Sequence, residues 1–159
     1  MSLYTMFSFG GMAAVGILAG WAADRIIARI GKPVRIRRFF TLAGFVVAST
    51  EVIGMLSRSN YVALFFAIFS LTGLGLTTAN YWAVTQTLFP PRTIGRMVGI
   101  QNFASNLSGI VASIFTGWLK EKTGSYEAAG WAILGVPVLG LASYGLLVRE
   151  DAADRFASA

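Results

Sequence analysis

The stretch from Gly20 to Arg38 reads GWAADRIIARIGKPVRIRR and lies between two long apolar runs. It contains six basic residues, which are Arg25, Arg29, Lys32, Arg35, Arg37 and Arg38. Lys and Arg beside membrane-spanning segments are retained preferentially on the cytoplasmic side of the membrane. We therefore interpret this stretch as a cytoplasmic loop between two membrane-spanning helices.

The composition of the whole chain is typical of a protein embedded in a lipid bilayer. Of the 159 residues, 55% are hydrophobic and only 13% are charged, and the mean hydropathy is +0.66. The net charge of +6 raises the question of nucleic-acid binding, but the cations lie beside apolar segments, so no nucleic-acid partner is expected. Histidine and cysteine are absent from the sequence. Because these residues supply the commonest general base and thiolate ligands, the sequence predicts neither an enzyme nor a cofactor or metal site.

The apolar segments predict an all-α membrane protein with five transmembrane helices. A bilayer core about 30 Å thick requires about 20 residues of helix. Segments 3–22, 39–56, 61–88, 97–119 and 128–148 meet or approach that length. Residues 1–150 are therefore predicted to form one transmembrane domain, and residues 151–159 a cytoplasmic tail.

The distribution of basic residues predicts the orientation of the chain. Of the thirteen Lys and Arg residues, six lie in the first connection, two in the third and two in the tail. The opposite side receives only Arg58, Lys120 and Lys122. This imbalance predicts that the N-terminus lies outside and the C-terminus in the cytoplasm. We expect a multi-pass protein of the plasma (inner) membrane.

The basic stretch also resembles a known motif. It is similar to the Gly-x-x-x-Asp-Arg…Gly-Arg/Lys loop signature of the major facilitator superfamily at Gly20, Asp24, Arg25, Gly31 and Lys32. On these residues alone, an ordinary stop-transfer cluster is the alternative. Three further stretches resemble the C-terminal half of the anion:cation symporter family within that superfamily: KPVRIRR at 32–38, GIQNFASNLSGI at 99–110 and TGSY at 123–126.

The resemblance implies a fold, a function and partners. It places the five spans as the eighth to twelfth helices of a twelve-helix transporter, which form most of the C-terminal half of the major facilitator fold. It implies transport of small organic anions such as sugar acids, coupled to a proton or sodium ion, by alternating access. It also implies a missing N-terminal half or a companion chain. The alternative is a non-transporting membrane fragment, or a split subunit that requires a partner chain.

Polar residues in the fourth predicted span are candidates for substrate binding. Because a helix turns by about 100° per residue, Asn102 and Asn106 lie on one face of the span, while Ile100 and Phe103 point away. Their amides offer hydrogen bonds to a carboxylate or a sugar hydroxyl without a buried charge. The alternative is that they bond neighbouring helices.

Two residues of the third predicted span are further candidates. An aromatic ring at Trp82 and an amide at Gln86 are suited to wall a pocket and orient a hydroxylated anion. For Trp82 the alternative is a position in the aromatic belt at the membrane interface.

Glu51 is the one carboxylate inside a predicted span. Ionisable side chains within the membrane are costly and mark proton or ion pathways, so we predict a possible role in ion coupling. The alternative is that the side chain extends to water at the nearby end of the helix.

Overall fold

The computed structural model describes residues 2–149, which form helices joined by short connections. The helices are α1 (Ser2–Ile30), α2 (Pro33–Ser49), α3 (Glu51–Leu56), α4 (Asn60–Leu88), α5 (Pro91–Thr123) and α6 (Glu127–Leu147). The described residues contain no strand, and the all-α fold class predicted from the sequence is confirmed. The tail predicted for residues 151–159 lies outside the described residues.

Most of the stretch interpreted as a loop is helical, which corrects that interpretation. Helix α1 continues through Asp24 and Arg25 to Ile30, so only Gly31 and Lys32 connect it to α2. Gly31 adopts a left-handed conformation with φ of 69°, and its N–H donates to the carbonyl of Ile27 at 2.8 Å. This is a common way to end a helix. Charge marks the edge of an apolar segment, but it does not end a helix, because Arg is a good helix former.

The second predicted span is formed by two helices in close succession. Helices α2 and α3 meet at Thr50, whose hydroxyl donates to the carbonyl of Val47 at 2.6 Å. Side-chain hydroxyls that bond to nearby carbonyls compete with the regular helical pattern. Together, α2 and α3 still form one apolar element from Pro33 to Leu56.

Helix α4 is the centre of the bundle and packs most extensively against α1 and α2. Small residues permit this close approach. A methyl group added at Gly75 would overlap the carbonyl oxygen of Met12 and lie 2.9 Å from the backbone nitrogen of Gly16. Thr77 of α4 also donates to the carbonyl of Thr41 in α2 at 3.2 Å. The core of the protein is therefore the contact of α4 with α1 and α2.

Helix α5 is the least buried helix. The structure describes all of its residues, and none of them is buried. Four elements are long and apolar enough to cross a membrane by length and composition, namely Leu3–Ile30, Pro33–Leu56, Asn60–Leu88 and Glu127–Leu147. Helix α5 is long but is not among them. Its amide residues Gln101, Asn102 and Asn106 lower its mean hydropathy.

Candidate functional site

Two side-chain contacts join α4 to α5. The hydroxyl of Thr85 donates to Oε1 of Gln101 at 2.8 Å. The hydroxyls of Tyr81 and Ser105 lie 3.2 Å apart, within hydrogen-bonding distance. Because residues four apart lie on the same helix face, these contacts define the line along which the two helices meet.

The antiparallel arrangement of this pair determines where the neighbouring residues lie. Higher residue numbers in α4 pair with lower numbers in α5, so the two helices run in opposite directions. In an antiparallel pair, the residue after each contact residue is rotated by about 100° toward the same side of the pair. Trp82 and Gln86 of α4 therefore lie on the same side as Asn102 and Asn106 of α5. We call the surface formed by these four residues the amide face.

The asparagines of the amide face are exposed. Nδ2 of Asn106 donates to the carbonyl of Asn102 at 2.8 Å and lies 3.3 Å from its Oδ1 atom. These contacts lie within α5, and neither asparagine is held by another helix in the hydrogen bonds of the described residues. Both side chains thus remain accessible on the surface of the helix.

The α4 residues of the amide face differ in exposure. Gln86 is exposed, whereas Trp82 is partly buried and its ring centroid lies 4.8 Å from that of Tyr81. The hydroxyl of the same tyrosine contacts Ser105 of α5. The four residues that the sequence analysis assigned to substrate binding thus lie on the same side of the α4–α5 pair, and their role in substrate binding stays a prediction.

The motif residues lie at the other edge of α4, where α1 meets α2. Nη2 of Arg37 lies 2.7 Å from Oδ1 of Asp24 and forms an ion pair. The guanidinium carbon of Arg25 lies 4.8 Å from the ring centroid of Trp21 on its own helix. A Cβ atom at Gly20 would make only an ordinary contact with Ala79, at 4.0 Å. The aspartate is thus the motif residue that links two helices.

Glu51 occupies a different part of the bundle. Its Oε2 atom accepts a hydrogen bond of 3.1 Å from Ser70 of α4, and the side chain lines a cavity between α2, α3, α4, α5 and α6. Fifteen residues of α4 separate Ser70 from Thr85, which corresponds to about 22 Å of helix rise. Glu51 does not join the amide face, and its role in ion coupling stays a prediction.

Two polar residues have surroundings that sequence reasoning did not predict. Asn80 is fully buried, donates to the carbonyl of Leu76 at 3.0 Å, and its Oδ1 has no partner among the described residues. Arg38 donates to the carbonyl of Gly145 at 2.5 Å, near the C-terminus of α6. A cation is favourable at that position because the end of a helix carries partial negative charge. The burial of Asn80 and the contact of Arg38 with Gly145 depend on which helices become neighbours, so neither has a sequence signal.

Comparison with protein families gives one match over nearly the whole chain. Residues 1–158 match the family described as Major Facilitator Superfamily. No solved structure gives a significant match to this chain.

Three curated proteins illustrate the similarity. The chain is 31% identical over 140 residues to a D-galactonate transporter of Escherichia coli O6:H1, an alignment covering 87% of this chain and 32% of that protein. It is 29% identical over 126 residues to a hexuronate transporter of Bacillus subtilis, an alignment that covers 78% of this chain and 29% of that protein. It is 34% identical over 121 residues to a protein of Arabidopsis thaliana named probable anion transporter 5. That alignment covers 74% of this chain and 28% of that protein. The chain spans about a third of the length of these curated relatives.

Proposed function

We propose that this chain, which belongs to the major facilitator superfamily, forms part of a secondary transporter that moves organic anions across a membrane. Relatives named for D-galactonate and hexuronates support this choice of substrate class. Both names denote carboxylates that carry several hydroxyl groups. The proposed substrates are therefore small hydroxylated acids.

The observation that carries the proposal is the amide face. Asn102, Asn106 and Gln86 each provide both donor and acceptor atoms, and Trp82 provides an indole N–H and an apolar ring. Uncharged groups of this kind bind hydroxyl and carboxylate oxygens without a fixed buried charge. A face that combines three amides with an aromatic ring suits the apolar and polar sides of a sugar acid.

The proposed orientation places the basic end of the bundle in the cytoplasm. Arg37 and Arg38 begin α2, and the contact of Arg38 with Gly145 brings the C-terminus of α6 to the same end. Arg149 follows α6, so the basic residues of separate connections gather on one side. The positive-inside rule then favours the cytoplasmic side for this end, and we propose that the membrane is the plasma (inner) membrane. We propose coupling to a proton or a sodium ion.

The exposure of α5 supports a requirement for further helices. Polar amides that face lipid are costly, and they are tolerated where protein or a water-filled cavity covers them. We propose that the missing N-terminal half, or a companion chain, covers the amide face and completes the substrate path. Without such helices the 159-residue chain is expected to be a non-transporting membrane fragment.

A chimaeric transporter tests the proposed function. In the D-galactonate transporter of E. coli, the segment that aligns with this chain is replaced by this chain, and uptake of labelled D-galactonate and D-glucuronate is measured in proteoliposomes. Saturable uptake of at least one acid is expected. The matched control is this chain alone, reconstituted in the same lipid, for which no uptake is expected.

The outcome depends on folding, which is measured on the same samples. A chimaera that elutes as a single species from size-exclusion chromatography, yet neither binds nor transports either acid, would contradict the proposal. Transport by the isolated chain would contradict the requirement for further helices.

A further inference from the structure

A cavity of about 590 Å³ lies among α2, α3, α4, α5 and α6, toward the end of the bundle that carries the α3–α4 and α5–α6 turns. This volume is typical of a site for a small organic ligand. Most of its lining is aliphatic or aromatic. We call it the Glu51 cavity, and its walls include Phe45, Glu51, Met55, Ala112, Tyr126 and Ile133.

Glu51 is the one charged residue among the described residues that line this cavity. Ser70 donates one hydrogen bond to its Oε2 atom at 3.1 Å, and a carboxylate has capacity for several more. Glu51 is exposed, so solvent partly screens its charge, and the carboxylate attracts a cationic group that comes within hydrogen-bonding distance. The cavity therefore provides one anionic anchor in an otherwise apolar space.

The Tyr126 ring in the cavity wall does not supply an equivalent anchor. Nζ of Lys120 lies 4.3 Å from the ring centroid of Tyr126, so a cation already occupies one face of that ring. Met55 also lines the cavity, and its flexible thioether adapts to the shape of a ligand. Charge attraction inside the cavity therefore depends on Glu51, and shape complementarity on the apolar walls.

We propose that the Glu51 cavity binds a small amphipathic cation, namely a protonated amine carried on a compact apolar body. The ammonium group donates to the Glu51 carboxylate, and the apolar body packs against Phe45, Met55 and Ile133. This site is separate from the amide face, since Ser70 and Thr85 lie about 22 Å apart along α4.

Equilibrium binding of labelled 1-adamantylamine to the 159-residue chain in lipid nanodiscs tests this proposal. The probe is a protonated amine on a rigid apolar cage, and 1-adamantanol is its uncharged analogue. We expect one saturable site above the background of empty nanodiscs, and a tenfold excess of 1-adamantanol should not displace the amine. Glu51→Gln should weaken binding by about two- to fivefold, as expected for loss of an ion pair with an exposed carboxylate.

A second variant keeps the test independent of the carboxylate. Ala112→Phe places a ring in the cavity from the weakly packed α5 and should abolish saturable binding. Val111→Phe adds the same ring at the next position, which does not line the cavity, and Glu127→Gln removes a carboxylate outside it. Both controls should bind as the unaltered protein does. Equal binding by Glu51→Gln, displacement by 1-adamantanol, or unchanged binding by Ala112→Phe would each overturn the proposal.

Discussion

The Nη2 atom of Arg37 lies 2.7 Å from Oδ1 of Asp24 and joins the start of α2 to the end of α1. The Asp24 side chain is 65% exposed, whereas that of Arg37 is only 18% exposed. Solvent screens the carboxylate, while the stem of the arginine packs within the protein. The pair therefore links two helix ends, and we expect packing of Arg37 to contribute more to stability than the ion pair does.

The first prediction concerns this difference in exposure between Asp24 and Arg37. Asp24→Asn should lower the free energy of unfolding by less than about 1 kcal/mol, because exposed ion pairs contribute little. Arg37→Ala should cost more, because it also removes the packed stem. Unfolding of the two variants in the same detergent measures the difference, and a larger loss for Asp24→Asn than for Arg37→Ala would contradict this account.

The second prediction concerns the contact between α1 and α4. Gly75→Ala should destabilise the protein by about 1–3 kcal/mol, because overpacking forces the backbones apart. The new methyl group would overlap the carbonyl oxygen of Met12. Gly109→Ala is the matched control, since a methyl group there meets nothing within 4 Å. Folded yield and unfolding temperature should fall for Gly75→Ala alone; equal effects at both positions would contradict the close approach.

The third prediction tests the pairing of α4 with α5. The sequence contains no cysteine, so introduced thiols react without background. Thr85→Cys with Gln101→Cys should form a disulfide readily under mild oxidation, because the native side-chain oxygens lie 2.8 Å apart. Ala79→Cys with Gln101→Cys should not be joined, since Ala79 is oriented toward Gly20 of α1. Preferential cross-linking of the control pair would place α5 elsewhere.

The extent to which sequence predicted the fold depends on what each signal measures. Apolar runs identified the helical segments, because burial in lipid requires helices with satisfied backbone hydrogen bonds. The same signal placed the end of the first span at Ala22, although α1 continues to Ile30. Hydropathy measures where a segment leaves lipid, whereas Gly31, with its left-handed backbone, marks where the helix ends.

The fourth prediction concerns orientation, and the structure identifies good reporters. Lys32 lies in the exposed connection between α1 and α2, and Ser125 lies in the exposed turn between α5 and α6. In intact cells, an impermeant thiol reagent should modify Ser125→Cys and leave Lys32→Cys unmodified. Permeabilised cells provide the control, in which both should react. The reverse pattern would invert the topology.

The candidate site was predictable in part. Helical periodicity placed Asn102 and Asn106 on one face of α5 from the sequence alone. That they lie on the same side of the α4–α5 pair as Trp82 and Gln86 follows only from the structure. It depends on the contacts of Tyr81 with Ser105 and of Thr85 with Gln101. Residues far apart in sequence become neighbours only through helix packing, and a single sequence contains no direct record of that packing.

Binding of D-galactonate to the chimaeric transporter, measured for Asn106→Ala beside the unaltered protein, tests the amide face most directly. The only hydrogen bonds that the structure gives the Asn106 side chain lead to Asn102 in the same helix, so folded yield should not change. Loss of a hydrogen bond to a charged ligand is worth about 1.5–3 kcal/mol, so Kd should rise roughly ten- to hundredfold. Val111→Ala, on the same helix but outside the amide face, should leave Kd unaltered. Unchanged affinity in both Asn102→Ala and Asn106→Ala would contradict the account and remove the amide face from the substrate path.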